Sequence, residues 1–309
     1  MRKVAIITDS NSGITQAESK KIGIPVVPMP FMIGSKTYYE DINLNREKFF
    51  RKMAKDEQIL TSQPAPTEVL KVWDKALKDF EEILYIPMSS GLSGSCQSAM
   101  MLASDYDGKV QVVNNQRISV TQKRSCLDAM ELAERGMNAA EIRRVLEQTK
   151  FDASIYITLE TLQYLKKGGR ITPAAAAIGS LLRIKPVLQI KGEKLDAFAK
   201  ARTMSQAKTT MITAMKNDIQ NLYGGLESKD VWLYAVDAQY PEGIALFQQE
   251  IETSFPGYYV EHDNLSLSVC CHIGPEALAI ACSRKLDYDR IAEEALSARQ
   301  GGQTLLHKE

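Results

Sequence analysis

Short apolar segments alternate with segments of helical spacing through the first half of the chain. Residues 4–8, 83–86 and 110–113 are apolar, and each run is followed by a polar turn and a helix-like stretch. Strands that alternate with helices are joined by crossovers, which place neighbouring strands parallel to one another. The pattern therefore predicts an α/β fold whose N-terminal part is a mainly parallel sheet with helices on both faces.

The pattern changes after about residue 151. Residues 186–190 and 195–200 flank a Lys191-Gly192-Glu193 turn and predict a β-hairpin, which a purely parallel domain does not need. Other apolar runs predict strands at 154–159, 231–236 and 265–271, and helical spacing predicts helices at 205–222, 242–253 and 275–283. We therefore expect an N-terminal α/β domain at 1–152 and a C-terminal α+β domain at 153–309.

Composition argues against several classes of protein. Lys plus Arg equals Asp plus Glu at 38 each, and no basic stripe suggests a nucleic-acid partner. Five cysteines without a CxxC pair and three histidines give little material for zinc, so we expect no metal and no cofactor. No apolar run approaches the roughly 20 residues that cross a bilayer, and the N-terminal run is too short for a signal peptide. We expect a cytoplasmic protein with reduced thiols.

Two hydroxyl-rich segments stand where a predicted strand gives way to a helix. They are Thr61-Ser62-Gln63-Pro64 and Ser89-Ser90-Gly91-Leu92-Ser93-Gly94-Ser95. Open parallel sheets bind ligands beyond the carboxyl ends of their strands, and helix N-termini offer unpaired N–H groups to anions. Together the segments suit a small acidic group held by uncharged donors. Each taken alone is better explained as a capped turn that binds nothing.

Three further residues have ordinary structural explanations when each is considered alone. His272 stands at the end of a predicted strand, where a histidine commonly bonds a backbone carbonyl. Arg170 belongs to a cationic, glycine-containing segment typical of a helix C-terminus. Arg202 closes the predicted hairpin, where a solvated side chain is expected.

Six separated segments of the chain form a recognisable series. They are Ile7-Thr8-Asp9-Ser10-Asn11-Ser12, Thr61-Ser62-Gln63-Pro64, Ser90-Gly91-Leu92-Ser93-Gly94 with Gln97-Ser98-Ala99, residues 165–171, Ile184-Lys185-Pro186-Val187-Leu188 and His272-Ile273-Gly274-Pro275. In this order they resemble the DegV family of bacterial fatty-acid-binding proteins over nearly the whole chain. The resemblance implies a two-domain protein with a lipid tunnel, in which the acyl chain is buried and the carboxylate meets hydroxyls at the domain junction. By this resemblance Thr61, Ser62, Ser93 and His272 contact the carboxylate.

The resemblance also implies a partner. Such proteins resemble the carrier half of a two-part fatty acid kinase and perform no chemistry unaided. They present a long-chain fatty acid to a separate, dihydroxyacetone-kinase-like ATP-binding subunit and receive acyl phosphate. Arg170 and Arg202 correspond to basic residues near the tunnel mouth that hold the acyl phosphate or dock the kinase.

The chain departs from the family pattern at three places. Asn114-Asn115-Gln116 and the residues after it replace a usual Asp-Ser pair and later glycines. Cys271 replaces a usual threonine before the histidine, and Glu276 replaces a glycine. These departures concern one binding loop and the surroundings of the head group.

The energetics of a buried acyl chain agree with a site that lacks charge. Burying a methylene contributes about 0.8 kcal/mol, so roughly 15 methylenes give about 12 kcal/mol before the costs of association. A few hydroxyls then suffice at the carboxylate. Candidate tail-lining residues, which could equally be plain core, are Ile24, Val26, Phe31, Met100, Ile178, Leu181 and Leu182.

Two alternatives belong to other functional classes. One is a serine esterase with Ser93 as nucleophile, His272 as base and an unidentified carboxylate such as Asp237, although Ser95 stands where the GxSxG elbow needs its second glycine. The other is a phosphosugar- or nucleotide-binding regulatory module that uses the glycine-serine loop. Only Lys109 and Arg117 lie near that loop in sequence to pair with a phosphate.

Overall fold

The computed structural model describes residues 2–169, 184–192 and 194–306. The strands are β1 (Arg2–Asp9), β2 (Val26–Val27), β3 (Pro30–Ile33), β4 (Lys36–Tyr39), β5 (Ile59–Thr61), β6 (Phe80–Ile86), β7 (Val110–Val112), β8 (Ala153–Thr158), β9 (Lys185–Ile190), β10 (Leu195–Ala201), β11 (Val231–Ala238), β12 (Val260–Asn264) and β13 (Ala277–Arg284). The α-helices are α1 (Gln16–Ile22), α2 (Arg46–Ala54), α3 (Pro66–Ala76), α4 (Ser95–Ala103), α5 (Ser119–Glu134), α6 (Ala139–Gln148), α7 (Gln163–Gly168), α8 (Met204–Leu222), α9 (Pro241–Ser254), α10 (Leu267–Ile273) and α11 (Tyr288–Leu306).

The first sheet is parallel throughout, in the order β2-β1-β6-β7. Successive residues of a strand point to opposite faces, and β1 buries both faces. Val4 and Ile6 pack with residues of α5 and α6, whereas Ala5 and Ile7 pack with residues of α3 and α4. The predicted parallel sheet with helices on both faces is therefore confirmed.

The second sheet has six strands in the order β10-β9-β8-β13-β11-β12. Its neighbouring strands are antiparallel except for β11 and β12. The predicted hairpin is formed by β9 and β10, with a register irregularity between Ala197 and Ala199. Helices α8 and α9 pack on one face of this sheet, which confirms the α+β character predicted for the second half.

The other face of the six-stranded sheet is covered by the N-terminal half and by the short helices α7 and α10. A small antiparallel sheet, β4-β3-β5, and helix α2 have no counterpart in the sequence prediction. Phe31 of β3 and Phe49 of α2 belong to the same buried cluster as Ile155 and Ile157 of β8. This junction between the two halves is where the sequence motifs converge.

The domain boundary near residue 152 stays a prediction. Helix α6 ends at Gln148 and β8, in the second sheet, begins at Ala153. Helix α11 returns to the first half, where the Tyr288 hydroxyl donates to Asp128 at 2.7 Å.

No helix within the described ranges has both the length and the apolar composition that a membrane span requires.

Two elements near the C-terminus differ from the prediction. The pattern predicts a strand at 265–271 and a helix at 275–283, whereas α10 is a helix and β13 is a strand. A short apolar run such as that of α10 does not distinguish a buried helix from a strand. The alanines of β13 favour a helix, but pairing with β8 and β11 on its two sides outweighs that preference. His272 therefore lies in the last turn of a helix and precedes a strand.

Glu40 holds the N-terminus of α10 in place. Its Oε1 accepts a hydrogen bond from the Leu267 N–H at 2.9 Å, and its Oε2 is buried with no hydrogen-bond partner. Removal of the carboxyl from water raises the pKa of Glu40 to about 8, and the nearby Asp41 adds to the rise while the Leu267 N–H and Arg46 oppose it. Glu40 is therefore mostly protonated in the folded protein at neutral pH.

We expect Glu40→Gln to change how stability depends on pH. A folded-state pKa of about 8, above the ordinary value of 4.5, stabilises the fold fully below pH 4.5, and this contribution is lost as pH rises to about 8. Glutamine keeps the acceptor for Leu267 and does not ionise, so the variant should gain stability over the wild type as pH rises through this window. Urea unfolding at pH 5.5, 7 and 8.5 measures the difference, with the exposed Glu47→Gln as control. A constant difference across this range contradicts the assignment.

Candidate functional site

A cavity lies at the junction of the two halves. The volume in which the centre of a water molecule fits is about 100 Å³. By the same measure a cavity that holds a single water needs only ~10–15 Å³. The cavity is therefore large enough to be a binding site rather than a packing defect.

The four residues predicted to contact a carboxylate all line this cavity. Thr61 and Ser62 come from the end of β5, Ser93 from the loop before α4, and His272 from α10. No described lining residue carries a formal charge, and the lining beyond these hydroxyls is mainly aliphatic. The site thus combines uncharged polar groups with an apolar wall.

The apolar wall is the inner face of the six-stranded sheet. It presents Ile155, Ile157, Ile190, Ala279 and Ala281 to the cavity. Ala281 pairs with Ile155, and Ala279 pairs with Ile157, so the wall consists of successive cross-strand rows. Because alanine side chains are short, the two alanines leave space beside the larger isoleucines.

His272 is fixed by groups on both sides of its ring. Its Nε2 lies 2.9 Å from the Thr61 hydroxyl oxygen, a hydrogen bond between residues 211 positions apart. On the opposite side the ring lies against the backbone of Gly168 at the end of α7, where a Cβ would come within 2.3 Å of Nδ1. The ring therefore joins β5, α7 and α10 at the polar part of the cavity.

Ser93 is presented by a closed loop. The Ser93 N–H donates to the Ser89 carbonyl oxygen at 3.2 Å, and the Ser89 N–H donates to the Arg117 carbonyl oxygen at 2.9 Å. The Ser93 hydroxyl oxygen accepts from the Ser95 N–H at 3.2 Å. This bond uses the oxygen as acceptor, so the hydroxyl proton can still be donated to a ligand.

A buried carboxyl, Asp9, holds the neighbouring loops together. Its oxygens accept hydrogen bonds from the Met88 N–H at 2.9 Å, from the Asn11 N–H at 2.9 Å and from the Gln122 side chain at 3.2 Å. Burial raises the pKa of Asp9, and these hydrogen bonds oppose the rise. Asp9 thereby connects β1, the loop after β6 and α5.

The sequence motifs include Asn11 but assign it no role, and they miss Ser119 and Ser268 entirely. All three line the cavity. The position of Asn11, in a polar turn directly after a predicted strand, could have indicated that it lies at the site. Ser268 was hidden because its segment resembles a strand, and Ser119 because it ends the stretch that departs from the family pattern.

Only one of the two predicted basic residues, Arg202, lies within the described residues. Arg202 follows β10 with an exposed side chain, and its N–H donates to the Gln206 side-chain oxygen at 2.9 Å. It is not among the described residues that line the cavity. Arg170 lies outside the described residues. The roles of both residues stay predictions.

The tail-lining candidates do not line the cavity where they are described. Ile24 and Val26 belong to the core on one face of the parallel sheet, and Met100 packs against the core on the other face. Phe31 lies in the junction core but outside the lining. Ile178, Leu181 and Leu182 lie outside the described residues. The prediction was wrong for the first four because apolar character alone does not distinguish a core from a tunnel wall.

Neither alternative chemistry is assembled by the residues predicted for it. The two oxygens of Asp237 are used by the His262 ring at 2.9 Å and the Tyr240 N–H at 2.7 Å, so Asp237 serves His262 and not His272. Lys109 and Arg117 do not line the cavity, and Arg117 donates instead to the Thr149 carbonyl oxygen. The described residues also contain no cluster of three or more His, Cys, Asp or Glu that would hold a metal ion.

Comparison with known proteins identifies the family. The family model described as "Uncharacterised protein, DegV family" matches residues 3–285. The chain belongs to the DegV family. Among its DegV relatives, the DegV domain-containing protein lin2658 of Listeria innocua is 28% identical over 286 residues, which cover 92% of this chain and 99% of that protein. The Staphylococcus aureus protein SAR1438 is 30% identical over 231 residues, covering 75% and 81%.

Solved DegV structures have the same fold. A DegV family protein from Thermus thermophilus, described for its fatty acid binding, matches with a TM-score of 0.83 and 27% identity, covering 91% of this chain and 99% of that one. DegV of Bacillus subtilis, described as a fatty acid binding protein, matches with a TM-score of 0.81 and 26% identity, covering 92% and 100%. These matches confirm the predicted family and fold class.

We expect Gly168→Ala to destabilise the protein by displacing the His272 ring. The new Cβ would lie 2.3 Å from Nδ1, and overpacking of this kind costs about 1–3 kcal/mol. In a His272→Ala background the obstacle is gone, so the cost of Gly168→Ala should largely disappear. Urea unfolding of the wild type, both single variants and the double variant gives the coupling. An equal cost of Gly168→Ala in both backgrounds would show that the ring is not what excludes a side chain there.

Proposed function

We propose that this protein binds a long-chain fatty acid in the junction cavity. The carboxylate is held by Thr61, Ser62, Ser93 and His272, and the acyl chain lies along the inner face of the six-stranded sheet. The observation that carries the proposal is the lining itself, which joins hydroxyls and an imidazole to an aliphatic wall without a formal charge among its described residues. The fatty acid binding described for the Thermus thermophilus and Bacillus subtilis relatives supports it.

The order of residues along β13 gives the direction of the ligand. This strand starts at Ala277, shortly after His272, and runs through Ala279 to Ala281. The four residue steps from Ala277 to Ala281 span about 14 Å in an extended strand. Ala281 therefore lies well away from His272 and the polar end of the cavity. An acyl chain laid along these rows buries its methylenes at about 0.8 kcal/mol each. This gain makes a strong ion pair at the carboxylate unnecessary.

The uncharged donors suit a carboxylate that must still react. Hydroxyls and an imidazole orient the carboxylate oxygens by hydrogen bonds without compensating their full charge. Desolvation without a charged partner raises the pKa of a carboxyl group, so its ionised form is more basic and a better nucleophile. The site is therefore suited to presenting the acid rather than only storing it.

We further propose that a separate, ATP-dependent fatty acid kinase phosphorylates the bound acid. In this proposal the protein is a carrier in the cytoplasm and not itself an enzyme. The kinase approaches the polar end of the cavity, and Arg170 and Arg202 stabilise the phosphoryl charge or dock the kinase. The support for this step is the family resemblance and the exposure of Arg202.

We expect a fatty acid to copurify with the protein, detectable by mass spectrometry of an organic extract. The Ser93→Ala variant should bind the fatty acid at least about tenfold more weakly. It loses a hydrogen-bond donor to the carboxylate, and a hydrogen bond to a charged group is worth about 1.5–3 kcal/mol. Titration of the delipidated protein with a fluorescent fatty acid measures this loss. Ser90→Ala, in the same loop but outside the cavity lining, is the matched control. A lipid-free extract together with unchanged affinity in Ser93→Ala would remove the proposal.

We expect Arg202→Glu to reduce phosphoryl transfer more than lipid retention. A reversed charge near the developing phosphate opposes transfer, whereas the acyl chain is held elsewhere. Acyl phosphate is trapped with hydroxylamine in the presence of ATP and the kinase subunit, and it is compared with the bound lipid. Lys200→Glu, an exposed residue at the end of the same strand, is the control, and Arg170→Glu is tested beside it. Retention that falls while transfer per bound lipid stays constant would contradict this role.

A further inference from the structure

Ser119 carries a buried hydroxyl that the sequence motifs do not explain. Its side chain lines the cavity, the residue is 5% exposed, and its Oγ has no hydrogen-bond partner in the described structure. Buried hydroxyls are nearly always hydrogen-bonded, and an exception requires an explanation. Because Ser119 lines the cavity, a ligand bound there can form the missing hydrogen bond with its hydroxyl.

The backbone around Ser119 presents further donors. Ser119 begins α5, a helix of 16 residues, and the preceding Ile118 provides no side-chain cap. The first N–H groups of a helix have no partner within the helix, and the helix dipole places partial positive charge there. Ile118, Ser119 and Val120 all line the cavity, so this helix end lies at its wall.

Ser119 also has an unfavourable backbone conformation. Its φ is +57°, in the left-handed region that residues other than glycine seldom occupy. Gln116 nearby has φ +58°, so the segment that leads into α5 has two such residues. A strained residue persists where surrounding structure fixes it, and such residues cluster at binding sites.

The surroundings of this helix end are held by polar contacts. Gln122, one turn into α5, donates to the buried Asp9 at 3.2 Å. The Ser268 hydroxyl donates to the Asn11 side-chain oxygen at 2.5 Å, and both residues line the cavity. The start of α5 is also close to the loop of Ser93, because the Arg117 carbonyl accepts from the Ser89 N–H.

We propose that the Ser119 hydroxyl and the first-turn N–H groups of α5 form a second set of donors to the ligand carboxylate, beside Ser93. A helix N-terminus with an unpartnered hydroxyl favours an anionic oxygen over an apolar group. The inference rests on the proposed fatty acid function and extends it by naming a further binding residue. In this arrangement one carboxylate oxygen meets α5 while the other meets the hydroxyls of Thr61 and Ser93.

Ser119→Gly tests this inference, because glycine removes the hydroxyl and adopts the positive φ without strain. Delipidated full-length protein is titrated with palmitate and with hexadecanol, which has the same chain length but no charge. The variant should bind palmitate about tenfold more weakly, because a charge-assisted hydrogen bond is lost, and should bind hexadecanol within about twofold of the wild type. Its melting temperature should stay the same or rise.

Gln116→Gly is the matched control. It relieves the same kind of backbone strain in the same segment but lies outside the cavity lining, and it should leave both affinities unchanged. Unchanged palmitate affinity in Ser119→Gly overturns the inference. So does an equal loss for palmitate and hexadecanol with a lower melting temperature, since this indicates a structural role alone. If the wild type itself binds neither ligand, the fatty acid function fails rather than this extension of it.

Discussion

The six-stranded sheet has two apolar faces, and its two long helices cover only one of them. Helices α8 and α9 pack on the first face, whereas the second is covered by the N-terminal half together with the short helices α7 and α10. The covering is incomplete, because the end of β5, the loop before α4, α10 and the start of α5 meet this face around a cavity. The hydrogen bond between Thr61 and His272 closes the polar end of that junction. The location of the site thus follows from how the two halves are joined.

Much of the first half could be predicted, because alternating strands and helices leave few arrangements. The hydroxyl segments at 61–64 and 89–95 both follow strands, but only the second follows a strand of the parallel sheet, β6, at whose carboxyl end a ligand site is expected. The first follows β5, which belongs to the small antiparallel sheet. The resemblance to the DegV family then selected Thr61, Ser62, Ser93 and His272, which the fold brings to one cavity. None of these residues was a specific signal on its own.

The rest depended on tertiary contacts that leave little trace in a single sequence. The Ala-rich run of β13 becomes a strand because β8 and β11 pair with both of its edges. Ser268 lines the cavity from helix α10, and Ser119 lines it from the left-handed start of α5, and neither conformation is evident from the sequence. Glu40 caps a helix that lies 227 residues further along the chain. Apolar candidates such as Ile24 were misplaced because a core and a tunnel wall have the same composition.

The alanines at positions 279 and 281 have a consequence for the empty protein. They lie on a central strand, where larger side chains would ordinarily fill the space, and unfilled space lined by apolar groups carries a free-energy cost. An aliphatic guest would supply the missing atoms and so act as an exchangeable part of the hydrophobic interior. Folding and loading would then be thermodynamically linked, so the protein would unfold more readily when the ligand is scarce.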